Sequence, residues 1–310
     1  MVSPLKFLSD FRQRLHAAGI RFALTSGQAC VHFGIQQTTK DSDWIIAPED
    51  IGRLRDLLVQ MDLSEDYKVV WRPICGAPCQ EVFLGNGWTS HLAVIDKDSN
   101  EHHLDFFGKA PRVNVVEHDP DEPDIASRFV VAQMKKTDRE KDWPFVSALA
   151  RQSKASGDVR SIQHGQDADW LIEAWTQIPE EDRSSFIDQR PLLQLISSHP
   201  DRLRRAIMIE KHIWQTVNRS RYQAFQGPWK DFYRKWRREP GFHWPSGDCF
   251  EHQCRILETA AEKYELPVAP FSDLLRTAAL TSARKDAADI FAATDEEINQ
   301  IAPPIEVLMP

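Results

Sequence analysis

Cysteine is scarce in this sequence. Five residues in 310 are too few, and odd in number, for a disulfide framework, so they are expected as mostly buried, reduced thiols in a cytoplasmic protein. Long apolar runs are missing as well: none approaches the roughly 18 residues of a membrane span, and Met1-Val2-Ser3-Pro4 opens no signal peptide. No membrane partner is expected. Positive charge is in deficit, with 38 basic against 46 acidic side chains and a net charge of −8. That balance argues against wrapping duplex DNA by bulk charge, while leaving a local basic face open. With 42% apolar residues the chain is long enough for a sizeable core in one or two domains, and collagen-like, disordered and disulfide-rich classes are excluded.

What is present reads first as mixed α/β. Ser3 before Pro4 is a good N-cap with proline at the first helical position, and Phe7, Leu8, Phe11, Leu15 and Ala18 recur at helical spacing until Gly19. Arg21 to Leu24 predicts a strand, Ser26-Gly27 a turn, and Ala29 to Phe33 a short helix stopped by Gly34. Asp43 to Ile46 predicts a second strand, and Pro48-Glu49-Asp50 opens a helix to about Met61. Further strands are expected at Tyr67 to Ile74, at Gln80 to Leu84 with Leu92 to Ile95, and at Glu101 to Phe107, with a hairpin at Asp96 to Asn100. After Pro120-Asp121-Glu122-Pro123 almost no period-2 alternation remains. The expected organisation is an α+β (mixed α/β) domain over 1–122, a small mixed sheet with flanking helices, and an all-helical region over 123–310, with a further division near 153–165.

Carboxylates carry the chemistry. Asp41 and Asp43 stand two apart at the start of a strand, so both face one side about 6 to 7 Å apart. Two such charges brought within about 4 Å repel by several kcal/mol, an arrangement that makes sense around a divalent cation. Few, hard oxygen ligands suit Mg²⁺, which takes its remaining ligands from water and substrate phosphates. Asp105, in His102-His103-Leu104-Asp105-Phe106-Phe107, is a third acid among apolar neighbours, where burial costs energy without a partner. Upstream, Thr25-Ser26-Gly27 forms a strand–turn–helix passage whose N–H groups, hydroxyls and glycine suit a phosphate. Singly, Asp41 as a cap and Ser26-Gly27 as an ordinary turn explain these residues. Together they describe a phosphate cradle beside a metal-binding acid cluster.

The order glycine turn, helix, Thr39-x-Asp41-x-Asp43 and a later strand Asp resembles the DNA polymerase β-like nucleotidyltransferase superfamily, most of all the bacterial AbiEii-type and minimal nucleotidyltransferases, the toxin halves of some toxin–antitoxin pairs. A second likeness lies at Val131 to Lys136 followed by Asp138-Arg139-Glu140-Lys141-Asp142-Trp143. The resemblance covers residues 20 to about 150. It implies that Asp41 and Asp43 hold Mg²⁺ on the triphosphate of an NTP such as ATP, that Asp105 completes a second metal site, and that Ser26 and Gly27 hold the phosphates. It further implies transfer of a nucleoside monophosphate to a hydroxyl with pyrophosphate release, and a cognate antitoxin as partner. Two departures stand out: Ser26 replaces the first glycine of the pair, and no arginine precedes Thr39-x-Asp41-x-Asp43, where Gln36, Gln37 and Lys40 lie instead. Neither removes a metal ligand. A catalytically degenerate nucleotide-binding or partner-binding protein on the same fold is the alternative.

Other constellations add less. Lys135, Lys136, Arg139 and Lys141 form a basic cluster able to reach triphosphate oxygens or to end a solvated helix, and Asp142 is placed to orient Arg139. Residues 211–245 hold eight Lys or Arg, two acids and nine aromatics, a composition that suits stacking and phosphate contact with an RNA end, tRNA above all, or a core stripe with a solvated basic face. Cys75-x3-Cys79 with His91, His102 and His103 lacks the second ligand pair that zinc requires. Cys30 has no local His or Asp and reads as packing.

Overall fold

A computed structural model describes residues 4–72, 74, 76–269 and 272–310. The chain runs α1 (Pro4–Ala17), β1 (Phe22–Thr25), α2 (Ser26–His32), β2 (Asp41–Ile46), α3 (Ile51–Leu63), β3 (Tyr67–Trp71), α4 (Glu81–Leu84), β4 (Thr89–Asp96) and β5 (Glu101–Phe107). Helices follow: α5 (Arg128–Met134), α6 (Trp143–Ala155), α7 (Ala168–Trp175), α8 (Glu180–Gln189), α9 (Leu195–Ser198), α10 (Leu203–Trp236), α11 (Phe250–Lys263), α12 (Asp273–Phe291), α13 (Asp295–Ile301) and α14 (Ile305–Leu308). The α+β class expected from sequence is therefore present: a five-stranded mixed sheet with flanking helices, then a long helical region. Ser3 and Cys75 lie outside the described residues.

Two compact units share the chain, and they interleave: Met1–Ala110, His118–Ala126 and Gln223–Pro270 form the first, and Pro111–Glu117, Ser127–Tyr222 and Phe271–Pro310 the second. This differs from a single boundary near residue 122. The reason is packing. Trp229, Phe232 and Trp236 on the C-terminal part of α10, with Phe250, Cys254 and Leu257 on α11, are buried in the same apolar cluster as the sheet. Gln253 reinforces this, its Oε1 accepting from Trp71 N at 2.9 Å and its Nε2 donating to Val69 O at 3.0 Å.

In the first unit the strand order is β1-β2-β5-β4-β3, with β2 and β5 parallel and the other neighbours antiparallel. Phe22, Leu24, Trp44, Ile46, Leu104, Phe106, Leu92, Val94, Val69 and Trp71 alternate onto one face and join the core with α1 and α3. The odd-numbered residues of β2 and β5 face the other side. Gln80 to Leu84, expected as a strand, is the single helical turn α4. Four residues cannot separate the two periods, and burying Phe83 and Leu84 requires only one turn. β3 stops at Trp71 rather than Ile74. The hairpin between β4 and β5 is closed by Asp96, whose Oδ1 accepts from Asp98 N (3.0 Å) and Asn100 N (2.9 Å). Burial raises the Asp96 pKa, but these bonds and those from the Asn100 and His102 side chains outweigh it and hold the carboxyl at about 2.

The second unit has its own core around Trp143, Leu171, Trp175, Leu193, Ile209, Trp214, Ala283 and Ile301. At its centre Arg190 is clamped by Glu210, Nε to Oε1 at 2.9 Å and NH2 to Oε2 at 2.7 Å, and it also donates to Ile162 O and Gly165 O. No helix among the described residues is long and apolar enough to cross a membrane.

Candidate functional site

Register builds the site. Thr25 pairs with Asp43, Asp43 with Asp105, and Asp105 with His91, so these four stand in one row across β1, β2, β5 and β4. One step along, Asp41 pairs with His103. Residues opposite one another in a sheet share a face, so Asp41, Asp43 and Asp105 converge on the face away from the apolar core. Asp105 is not on the far side of the sheet.

Asp41 and Asp105 are each met by partners. His103 Nδ1 lies 2.8 Å from Asp41 Oδ1, and its Nε2 lies 2.9 Å from Glu101 Oε1. His91 Nδ1 is 2.7 Å from Asp105 Oδ1. Arg72, the residue after β3, donates from NH1 to Asp105 Oδ1 at 3.3 Å and stands 3.6 Å from Asp41 Oδ1. A guanidinium thus lies between two of the three carboxylates, with only 18% of its side chain exposed. Sequence reasoning missed Arg72, because its reach to Asp105 depends on β3 lying beside β4; the signal available was a cation closing a strand. Gly76 makes room for the ring next to it, since a Cβ there would stand 2.9 Å from His91 Cδ2.

The turn behaves differently from expectation in one respect. Gly27 has no space for a side chain because a Cβ would come within 2.6 Å of Thr39 Oγ1. Its smallness serves the packing of the turn against the segment that leads into Asp41. Ser26 takes φ +53°, the left-handed region that favours glycine, so serine at this position is strained. Thr25 makes no side-chain cap bond to α2.

As a set, the three carboxylates suit Mg²⁺ in kind, being hard oxygen donors on neighbouring strands. The oxygens of Asp41 and Asp105 are aimed at Arg72 and the histidines, and among the described residues no three His, Cys, Asp or Glu side chains are poised around one ion position. Cys79 is a poor zinc ligand, since burial pushes its thiol up to about 12.

Lys135, Lys136 and Arg139 belong to the second unit, not to the sheet that carries the acids. Arg139 Nε donates to Asp142 Oδ2 at 2.8 Å, and Lys135 Nζ is 3.9 Å from Asp142 Oδ1. Asp142 therefore orients this segment. Lys136 is buried and donates to Gln163 O at 2.9 Å. In residues 211–245 the aromatic stripe is core: Trp214, Trp229, Phe232 and Trp236 are buried, while Lys230, Arg234, Lys235, Arg237 and Arg238 face solvent. These four buried rings offer no stacking platform for bases, whereas Tyr222 in the same stretch is 54% exposed. Comparison of the chain with protein-family models, with curated proteins and with solved structures finds no match.

Proposed function

We propose that this chain is a magnesium-dependent nucleotidyltransferase, moving a nucleoside monophosphate from an NTP to a hydroxyl with release of pyrophosphate. The observation that carries the reading is the row of Asp43 and Asp105 on parallel neighbours, with Asp41 two residues away on the same face. Asp41, Asp43 and Asp105 would hold the metal. Bound there, Mg²⁺ supplies charge neutralisation at the phosphates and activation of the attacking hydroxyl. Arg72 balances the carboxylates and offers a bidentate donor to phosphate, the role left open by the missing arginine before Thr39. His91 and His103 hold Asp105 and Asp41 in orientation through their Nδ1 atoms. The acceptor is a hydroxyl of an RNA end, with the exposed cations of α10 as phosphate contacts, or of a protein side chain. A toxin or defence role with a cognate antitoxin follows from the sequence resemblance alone.

Incubation with each NTP, Mg²⁺ and total cell extract tests this. Wild type is expected to release pyrophosphate and label a macromolecule, and Asp41→Asn with Asp43→Asn to lose at least about a hundredfold of that rate, as removal of charge-stabilising groups does. A second reading, a degenerate nucleotide- or partner-binding protein, is favoured by the guanidinium of Arg72 occupying the place between Asp41 and Asp105. Under it, wild type releases no more pyrophosphate than the double variant, and Arg72→Gln tightens Mg²⁺ binding measured by calorimetry.

A further inference from the structure

The second unit encloses a cavity of about 230 Å³ that has no part in the reading above. Its walls are apolar at Phe129, Val130, Val307 and Trp214, and charged at Arg112 and Lys136. Lys136 is only 4% exposed. Its ammonium donates to one backbone carbonyl, Gln163 O, and lies 4.7 Å over the Trp214 ring. Arg112 donates from Nε to Gln133 O at 3.2 Å, from NH1 to Asn218 Oδ1 at 2.8 Å, and from NH2 to Met134 O. Among the described residues neither cation has a carboxylate within ion-pair distance, although carboxylates are at hand. Glu210 is taken by Arg190, Glu117 by Arg160, and Glu306 is exposed and unpaired.

Buried cations without counter-charge are costly. Burial pushes Lys136 down to about 7, with Arg190 and Arg112 adding to the effect against Glu210. Arg112 is pushed down to about 9, again by burial first. The indole N–H of Trp214 is buried and also lacks a hydrogen-bond partner. An apolar, concave space with a few convergent donors is the ordinary form of a small-molecule site. The lining as a whole is formally neutral, but with Arg190 closed on Glu210 and Glu117 held by Arg160, the groups left without an ion pair are Lys136, Arg112 and the exposed Glu306, which sum to about one positive charge. That balance fits one negative charge and disfavours a polyanion such as a triphosphate.

We infer that this cavity binds a small organic monocarboxylate with an apolar body, its carboxylate held by Lys136 and Arg112 and its body lying against Phe129 and Trp214. The site is independent of the carboxylate row and does not require the chain to be a transferase.

Isothermal titration of the full chain with phenylacetate, phenylacetamide and ATP tests it. Phenylacetate is expected to bind, and both its neutral amide and Lys136→Met to lose at least about tenfold in affinity, the worth of one charge-assisted hydrogen bond. In wild type, phenylacetate is expected to protect Lys136 from acetylation by acetic anhydride, read by peptide mass spectrometry. That readout holds should the variant misfold. Absence of binding at about 10 mM, equal binding of acid and amide, or protection of Lys136 by ATP and not by phenylacetate overturns the inference; the last returns Lys136 to the nucleotide.

Discussion

The first unit compensates its buried charges, and the second compensates some and leaves others without counter-charge. In the first, Asp105 on the sheet has an imidazole and a guanidinium within reach, and Asp50, fully buried in the turn before α3, accepts from Arg21 N and Arg21 Nε at 2.9 Å each and from Arg53. In the second, one pair, Arg190 with Glu210, is closed on itself, while Lys136 and Arg112 rest on neutral carbonyls and an amide. Compensated charges fix local structure and cost little in their resting state. Uncompensated ones lower stability unless something else is gained, and a ligand of opposite charge is the simplest gain.

The largest expected effect comes from breaking the closed pair. Glu210→Ala leaves the Arg190 guanidinium buried and unpaired and should cost about 3–5 kcal/mol in chemical denaturation, whereas Arg190→Met with Glu210→Leu should recover much of it. If the single change costs under about 1 kcal/mol, the contrast between compensated and uncompensated charge fails. Next is Asp50→Ala, expected to cost about 1–3 kcal/mol, less than the buried pair because Arg21 and Arg53 reach solvent. Hydrogen bonds from Arg21 hold the Asp50 carboxyl at about 2, against the opposing effect of burial. Its stabilisation is therefore present above the unfolded value near 3.8 and lost as pH falls through about 2, so the gap between wild type and variant should close over that window.

Lys136→Met works in the other direction. A cation depressed to about 7 on folding penalises the folded state at neutral pH and below, and the penalty fades as pH rises toward the unfolded value of 10.5. The variant should be more stable than wild type by about 1 kcal/mol at pH 7, with the gap narrowing toward pH 10; Arg112, Arg190, Glu210 and His164 all bear on this amine and stay unchanged between the two. The smallest effect is Ser26→Gly, expected to raise stability by about 0.5–1 kcal/mol in the same melts, by relieving φ +53°.

Local signals made much of the first unit legible. Helical spacing gave α1, the apolar runs at 22–24 and 43–46 gave β1 and β2, and Asp96 to Asn100 gave the hairpin. The Asp41-x-Asp43 spacing placed two acids on one face, because side chains two apart in a strand always share it. Four residues at Glu81–Leu84 carried too little period to be read as a helix. The aromatics of α10 were ambiguous for a different reason: a stripe at helical spacing specifies that a face is apolar and leaves open what covers it.

By itself, then, the amino-acid order determined most secondary elements of the first unit, the mixed class and the placing of Asp41 with Asp43 on one side of a strand. Tertiary structure alone decided that β2 lies parallel beside β5, which sets Asp43 against Asp105, and that β3 closes the far edge, which lets Arg72 reach Asp105 and Asp41. It also decided that Lys136 is buried beside Trp214 in a cavity of the second unit. These depend on contacts between residues 31 to 78 positions apart in the chain. Periodicity reports the face a side chain takes on its own element, and only the packed chain reports which neighbour that face meets.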